Sequence, residues 1–444
     1  MIDIGTLPKK QHPTPDPKVE RGAQTRPRSL LRALHSRNYR LFVAGHGISL
    51  VGTWMQQVAM SWLVYRLTGS AMLLGIVGFT SQIPSFFLAP VAGVLADRWE
   101  KRRLLLATQT LALIQAALLA IIVLTGVVHI WQIILLSLFL GIVNAFDIPV
   151  RQSFVVQMVD SRDDLSNAIA LNSSMVNGAK LIGPTIAGLL VASVGEGVCF
   201  AINSASYLAV IAAIVAMRVA PMAPRLQSQN VLHELREGVR YAFDCKPIRN
   251  ILLLLALVSL LGMPYSILIP VFASEVLHGS SHTYGYLMTA SGSGAFVGAF
   301  YLASRRSVLG LGMVIVRATI FFGTGIAVFA ISTSFALSMV SLVVTGFGAM
   351  TLVASSNTII QTVVDEDKRG RVMSFFTMAF IGMTPFGSLI AGTLAGNIGA
   401  KETVLVEGIC CLAGGIIFFR QLPILRKIVR PIYIDRDIIH KKEI

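Results

Sequence analysis

The sequence predicts an all-α polytopic membrane protein with twelve transmembrane helices in two pseudo-symmetric six-helix bundles. Three observations predict this class. Hydrophobic residues make up 54% of the 444 residues and charged residues only 13%, whereas soluble domains carry about 25% charged residues. Apolar runs long enough to cross a bilayer recur along the whole chain. The two halves of the chain also carry related motifs at constant offsets.

The apolar runs set the positions of the helices. A bilayer core about 30 Å thick is crossed by roughly 20 apolar residues in a helix. Runs of this kind leave no room for a separate soluble domain. They predict spans at 41–65, 71–96, 104–126, 131–157, 165–194, 198–217, 250–277, 284–304, 309–331, 335–362, 372–397 and 403–419.

The basic residues predict the orientation of these spans. Each connection is numbered by the span that precedes it. Of the 37 Lys and Arg residues, only Arg66 and Lys401 fall in the odd-numbered connections, and only Lys180 and Arg317 fall inside spans. The others lie in the two tails and the even-numbered loops. Cationic loops stay in the cytoplasm, so both termini are predicted to be cytoplasmic and the span count even. A net charge of +15 distributed in this way points to a membrane rather than a nucleic-acid partner.

The segments outside the spans are polar and basic. Residues 1–40 contain no apolar run typical of a signal peptide, so a basic cytoplasmic tail is predicted there. A second basic tail is predicted at 423–444. Between the bundles at 41–217 and 250–422, a cytoplasmic linker is expected.

The linker at 218–249 has a helical pattern of apolar residues, formed by Val231, Leu235, Val239 and Ala242. This spacing favours an amphipathic helix on the cytoplasmic membrane face, and a flexible linker is the alternative.

An internal repeat relates the two halves. TGSAMLLG at 68–75 corresponds to HGSSHTYG at 278–285, an offset of 210. Further along, an offset of 204 relates Gly178 to Gly382, Gly183 to Gly387, Gly188 to Gly392 and Gly195 to Gly399. Parallel repeats that meet around a midplane site are a transporter architecture.

The loop GVLADRWEKRR at 93–103 resembles the signature loop of the major facilitator superfamily. Glu100 stands where that family usually has glycine. The stretches NAFDIPVRQSF (144–154), ELREGVRY (234–241) and DEDKRGRV (365–372) are similar to the branch that contains the enterobactin exporter and macrolide-efflux-like proteins.

The resemblance implies a cytoplasmic latch. Asp97 is expected to cap the start of the eleventh span, because a carboxylate is favourable at a helix N-terminus. Asp147 is expected to pair with Arg102 or with Arg151 one turn away. Arg98 completes this group, and the alternative is that these charges only anchor loops at the headgroups.

The fifth span resembles the glycine–proline motif of the family's antiporters through Gly178, Gly183, Pro184 and Gly188. Small residues let helices approach closely, so the motif indicates either packing or gating. In the same span, Ser173, Asn177 and Lys180 form a polar stripe near mid-membrane. A buried ammonium is costly in lipid, so Lys180 is expected to face a cavity or a carboxylate. A cavity position predicts a substrate with anionic groups, and the alternative is that desolvation keeps Lys180 neutral and that it carries the coupled proton itself.

The family's cavity is lined by the first, fourth, seventh and tenth spans, with contributions from the second, fifth, eighth and eleventh. Polar and aromatic candidates on these spans are Thr53, Trp54, Gln56, Gln57, Gln82, Asn144, Tyr265, Ser355, Ser356 and Asn357. Some of these side chains are expected to join helices instead.

Four residues are candidates for proton coupling. Asp147 and His46 lie in the N-terminal half, and His46 is more simply explained as a satisfied interhelical hydrogen bond. Glu275 and Glu407 lie near the periplasmic ends of their spans, where they are expected to reach water.

The resemblance implies a secondary active transporter of the bacterial inner membrane, functional as a monomer, that exports a siderophore or a drug-like amphiphile by proton antiport. A lysophospholipid flippase is the alternative. The sequence has no phosphate-binding loop for ATP, and its four cysteines form no metal or disulfide framework. No enzymatic activity, cofactor or metal is therefore predicted.

Overall fold

A computed structural model describes residues 31–161, 164–219, 243–305, 307–365 and 368–435. Every regular element in these residues is helical. The long helices are α1 (Arg37–Thr68), α2 (Ala71–Arg98), α3 (Lys101–Leu124), α4 (Ile130–Met158), α5 (Leu165–Val194), α6 (Glu196–Ala216), α7 (Lys246–Val276), α8 (Ser281–Ser304), α9 (Leu311–Ile331), α10 (Phe335–Val363), α11 (Arg369–Ile398) and α12 (Ala400–Asp435).

Ten of these helices are long and apolar enough to cross a membrane. The other two, α1 and α8, contain 32 and 24 residues and are therefore long enough. They are less apolar because each contributes polar side chains to the interior, such as Gln56 on α1 and Ser291 on α8.

The outer surface of the helices is apolar. Phe300 is 72% exposed, Ile331 66% and Phe87 65%. In water these side chains would be costly to expose, whereas lipid tails are as apolar as leucine. The exposed side chains are therefore those expected of a multi-pass membrane protein.

The helix contacts follow one pattern in each half of the chain. In the N-terminal half, α1 contacts α5 and α6, α2 contacts α4, and α3 contacts α4 and α6. In the C-terminal half, α7 contacts α11 and α12, α8 contacts α10, and α9 contacts α10 and α12. The main contacts between the halves are α5 with α8 and α2 with α11.

The two contacts between the halves use glycines at repeat-equivalent positions. A Cβ atom at Gly188 would lie 2.9 Å from the Cα of Gly285 on α8, and one at Gly392 would lie 2.7 Å from the Cα of Gly75 on α2. The offset of 204 relates Gly188 to Gly392, and the offset of 210 relates Gly75 to Gly285. The α5–α8 and α2–α11 crossings are therefore equivalent contacts that the internal repeat relates to each other.

The same offsets account for two further features. Gly183 packs against Trp54, and its equivalent Gly387 packs against Pro264, which lies 210 residues after Trp54. Gly195 and Gly399 both have positive φ, at 86° and 100°, which lets the chain reverse tightly before α6 and α12.

Both ends of the described chain differ from the prediction. The segment 1–40 was predicted as a tail, but α1 begins at Arg37 and Tyr39 is fully buried, where its hydroxyl donates to the Ala168 carbonyl at 2.6 Å. The tail predicted from 423 is helical to Asp435, because Leu425 and Val429 extend the buried apolar face of α12. The amphipathic helix predicted within 218–249 lies outside the described residues.

Two helices of the C-terminal half are interrupted at mid-length. α7 is broken by a turn at Gly262, Met263 and Pro264, and it ends in a π-helical segment, Phe272–Val276. α11 contains a second π-helical segment, Met378–Gly382. Such irregular segments are frequent at functional sites, and both helices line the cavity described next.

Candidate substrate cavity

A cavity of about 700 Å³ lies between the two halves of the molecule. Its walls come from α1 to α5 on one side and from α7, α8, α10 and α11 on the other. Small-molecule sites in proteins have volumes of about 300–1,000 Å³. The cavity can therefore hold a medium-sized organic molecule.

Lys180 lies in the cavity wall on α5. Of the two predicted surroundings, a cavity or a carboxylate, the cavity is the one observed. Its ammonium nitrogen is 4.9 Å from the centre of the Trp54 ring, which is a cation–π distance. Within the described residues it forms no ion pair. The cavity thus contains a cation that an incoming anion can pair with.

Most of the predicted lining residues face this cavity, and three groups do not. The residues that line it are Thr53, Trp54, Gln56, Gln57, Gln82, Asn144, Asn177, Lys180 and Tyr265. Ser173 is exposed and Asn357 accepts a hydrogen bond from Gln361 at 2.9 Å, both away from the wall. Ser355 and Ser356 are buried between helices, and neither hydroxyl has a hydrogen-bond partner in the described part of the chain.

A buried network of side-chain amides links α1, in the cavity wall, to α3 and α6. Gln56 donates to the Gln115 side chain at 3.1 Å and accepts from Asn203 at 2.7 Å. These three side chains join α1, α3 and α6, and Gln115 also reaches the cavity. Buried carboxamides that satisfy one another fix the register of the helices that carry them.

A second network surrounds Asp147, which is 6% exposed on α4. One carboxylate oxygen accepts from Thr108 at 2.9 Å and from Gln109 at 2.7 Å, and the other accepts from Arg151 at 3.1 Å. Arg151 also donates to Nε2 of His46. Of the two partners predicted for Asp147, Arg151 is the one observed. His46 makes an interhelical hydrogen bond, which was the simpler of the two roles predicted for it.

A family comparison identifies this architecture. The model of the family described as transmembrane secretion effector matches residues 29–428. The chain belongs to this family. The match confirms the resemblance to the major facilitator superfamily and to its efflux branch.

Curated relatives of this secretion-effector chain are transporters. It is 24% identical over 382 residues to the staphyloferrin A transporter of Staphylococcus aureus, which covers 86% of this chain and 95% of the relative. It is 21% identical to macrolide efflux protein A of Streptococcus pyogenes, covering 83% and 93%. It is 24% identical to the multidrug efflux pump Tap of Mycolicibacterium fortuitum, covering 87% and 94%.

Solved transporters share the fold at low sequence identity. A mutant of the nucleoside transporter NupG superposes with a TM-score of 0.67 at 15% identity, covering 88% of this chain and 99% of that one. A peptide transporter of the POT family gives 0.70 at 10% identity, covering 87% and 94%. The family and these neighbours are membrane transporters rather than enzymes.

The predicted latch is only partly visible in this transporter. Arg102 does not pair with Asp147, because its guanidinium donates to the carbonyls of Ile214 and Val215 at the end of α6, at 3.2 and 2.8 Å. Asp97 and Arg98 close α2, and their side chains lie outside the described part of the structure. Glu100 has φ of −64°, so the turn before α3 needs no glycine at that position.

The two carboxylates of the C-terminal half have different surroundings. Glu275 is exposed and accepts a hydrogen bond from the Tyr65 hydroxyl across the two halves. The offset between these positions is 210, so repeat-equivalent residues of α1 and α7 meet. Glu407 was expected to reach water, and this was wrong. It is only 5% exposed, and its Oε2 has no hydrogen-bond partner among the residues that the structure describes.

Sequence reasoning missed an ion pair between α1 and α6. Glu196, at the start of α6, is 5% exposed and accepts from Arg66 at 2.7 and 3.1 Å. The signal was present, because Arg66 is the single basic residue in the first odd-numbered connection and had no assigned role. The pair fixes the end of α1 against α6.

Proposed function

We propose that this protein is a secondary active transporter that exports an anionic organic solute by alternating access. The observation that carries the proposal is the central cavity with Lys180 in its wall and without a carboxylate paired to it in the described residues. A fixed carboxylate would neutralise the ammonium, whereas its absence leaves the substrate to supply the negative charge. The resident charge therefore favours an acid over a cationic drug.

The direction of transport rests on the relatives. A siderophore transporter, a macrolide efflux protein and a multidrug efflux pump share most of their length with this chain. They favour export of a siderophore or a drug-like amphiphile, and they give no support to the flippase alternative.

The architecture that we propose has twelve spans in two six-helix bundles, with both termini in the cytoplasm of a bacterial inner membrane. The repeated pattern of helix contacts and the equivalent glycine crossings support the two-fold relation. The near absence of basic residues from the odd-numbered connections supports the orientation. In this arrangement the monomer contains a complete cavity.

Alternating access requires an end of the cavity that can close. The contacts between α5 and α8 and between α2 and α11 include glycines near the ends predicted to be extracytoplasmic, and Tyr65 bonds Glu275 at the same level. We infer that these contacts close the extracytoplasmic side and separate when the cavity opens outward.

Proton antiport is the coupling that we propose, because the chain lacks an ATP-binding loop. Glu407 is the best-placed carrier by geometry. It is buried, and no Lys or Arg pairs with it in the described residues. Asp147, in contrast, accepts three hydrogen bonds, from Thr108, Gln109 and Arg151, which suits a structural role.

The test is transport into proteoliposomes with an imposed proton gradient. A panel of carboxylate and catecholate siderophores, a macrolide and a cationic dye is compared for wild type, Lys180→Ala and Lys180→Arg. We expect the proton gradient to drive uptake of an anionic compound by the wild type. The apparent affinity of Lys180→Ala for this compound should be lower by about tenfold or more. Lys180→Arg should retain part of the affinity, because arginine keeps the positive charge in a different shape.

Ser173→Ala is the matched control, because Ser173 belongs to the same stripe on α5 but does not line the cavity. It should transport as wild type does. Uptake of only cationic compounds, or an unchanged affinity for the anion in Lys180→Ala, would reject the anionic substrate.

A further inference from the structure

The two walls of the cavity have different chemistry. The wall from the N-terminal half carries Lys180 and six carboxamides, which are Gln56, Gln57, Gln82, Gln115, Asn144 and Asn177. The wall from the C-terminal half, within the described residues, carries no carboxamide and no charged side chain. It contributes Met263, Met288 and Met350 together with Phe380 and Ile381. The two-fold relation of the helices is thus not kept in the cavity.

The free hydrogen-bonding groups are also confined to one wall. Gln57, Asn144 and Lys180 form no hydrogen bond or ion pair to any described residue. They can therefore bind acceptor oxygens of a guest. Their donors are N–H groups, and Lys180 adds a positive charge when it is protonated.

The hydroxyls on the opposite wall are already used. Tyr265 and Ser291 bond each other at 2.8 Å. The hydroxyls of Ser266, Thr384 and Ser388 donate to carbonyls of their own helices, at 3.1, 3.1 and 2.9 Å. This wall therefore presents mostly carbon and sulfur to the cavity. Methionine side chains are flexible and polarizable, so they adapt to apolar bodies of different shape.

We propose that the cavity binds amphiphilic acids in one fixed orientation. The acidic head lies at Lys180, Gln57 and Asn144, and the apolar body lies against the methionine wall of α7, α8 and α10. The inference deepens the proposed function and rests on it only in taking this cavity as the substrate site. It adds that an acid without an apolar body is a poor substrate, and that the apolar body faces the C-terminal half.

Binding to the purified full chain in lipid nanodiscs tests the head and the body separately. The probes share a dansyl body and carry a hexanoate, a hexanamide or an aminopentyl end, and citrate is the competitor without an apolar body. We expect the carboxylate probe to bind about tenfold or more tighter than the amide probe. The reason is that only the carboxylate adds a charge to the hydrogen bonds at the head site. The amine should bind most weakly, and citrate should compete poorly.

Two variants separate the walls. Lys180→Met should lower the affinity for the carboxylate to that for the amide and leave the amide unchanged. Met288→Gln should weaken the carboxylate and the amide by the same factor, whereas Ser173→Ala, a control on α5 outside the cavity wall, should bind both as wild type does. Thermal unfolding of each variant in the same nanodiscs checks that the protein is folded.

An aryl diazirine with its carboxylate at the opposite end reports the orientation. Crosslinks should map to α7, α8, α10 or α11. Crosslinks mainly to α1, α4 or α5 would overturn the orientation, and equal binding of carboxylate and amide would overturn the head site. A loss of affinity for all probes in Lys180→Met would assign Lys180 a structural role instead.

The inference and the proposed function can fail separately. Head-selective binding without gradient-driven transport of any acid would leave the inference standing and reject the transport proposal. Gradient-driven transport of an acid together with equal binding of carboxylate and amide would reject the inference alone.

Discussion

At the scale of single residues, the surroundings of each charge decide its role. Asp147 accepts three hydrogen bonds, one of them from its ion-pair partner Arg151, so its charge is compensated. Glu407 is equally buried, but its Oε2 has no hydrogen-bond partner within the described ranges of the chain. A buried carboxyl group without compensation is costly in its charged form. Such a group is suited to bind and release a proton during a transport cycle.

These two carboxylates should therefore respond differently to amidation. Glu407→Gln should fold normally and exchange substrate across proteoliposomes, but it should not accumulate substrate under an imposed proton gradient. Asp147→Asn should leave the partly buried Arg151 guanidinium without a counter-charge. Breaking a buried pair costs about 3–5 kcal/mol, so we expect a clearly lower unfolding temperature in detergent for this variant.

Each of these two variants is a control for the other, because each removes one carboxylate from a buried position in a helix. Full gradient-driven accumulation by Glu407→Gln would exclude this residue as the coupling site. An unfolding temperature of Asp147→Asn equal to that of wild type would show that the network around Arg151 contributes little stability.

At the scale of helices, close contact between the halves depends on glycine. α5 meets α8 at Gly188 and Gly285, and α2 meets α11 at Gly75 and Gly392. A side chain at any of these positions would meet backbone atoms, which cannot rotate away as a flexible side chain can. The crossings are therefore sensitive to a single methyl group.

Gly285→Ala should hold the extracytoplasmic end open. Its Cβ would lie 2.8 Å from the Cα of Gly188 and 2.9 Å from the Pro184 carbonyl oxygen. We expect transport to fall severalfold or more. A cysteine introduced at Gln57 should react faster with an impermeant maleimide added outside cells, in a background without the four native cysteines.

Gly178→Ala is the matched control, because a Cβ there meets no atom of the described residues within 4 Å. It should transport normally and leave the labelling of the introduced cysteine unchanged. If Gly285→Ala behaved in the same way, the α5–α8 crossing would not be part of the closed gate.

At the scale of the whole molecule, the charge distribution predicts the topology. Reporter fusions at residues 225–245 should give a cytoplasmic signal, and fusions at 278–282 should give an extracytoplasmic signal. The reason is that basic residues resist translocation and are nearly absent from the odd-numbered connections. The opposite pattern of reporter activity would reverse the orientation and place the glycine crossings on the cytoplasmic side.

The sequence by itself determined the class of this protein, its helices and its internal repeat. Apolar runs longer than a bilayer is thick, the placement of Arg and Lys, and glycines at offsets of 204 and 210 are local or periodic signals. They need no knowledge of which helices touch. For the same reason the sequence indicated that Lys180 was exceptional, since its depth can be counted along α5.

Only the tertiary structure decided which side chains meet. The partner of Asp147, the burial of Glu407 and the pairing of Glu196 with Arg66 depend on how helices are rotated about their axes. Rotation is set by packing summed over many residues, and a mid-helix polar residue in the sequence can face a cavity, a neighbour or lipid. Gln57 and Asn357 illustrate this, because both were candidates and only Gln57 lines the cavity.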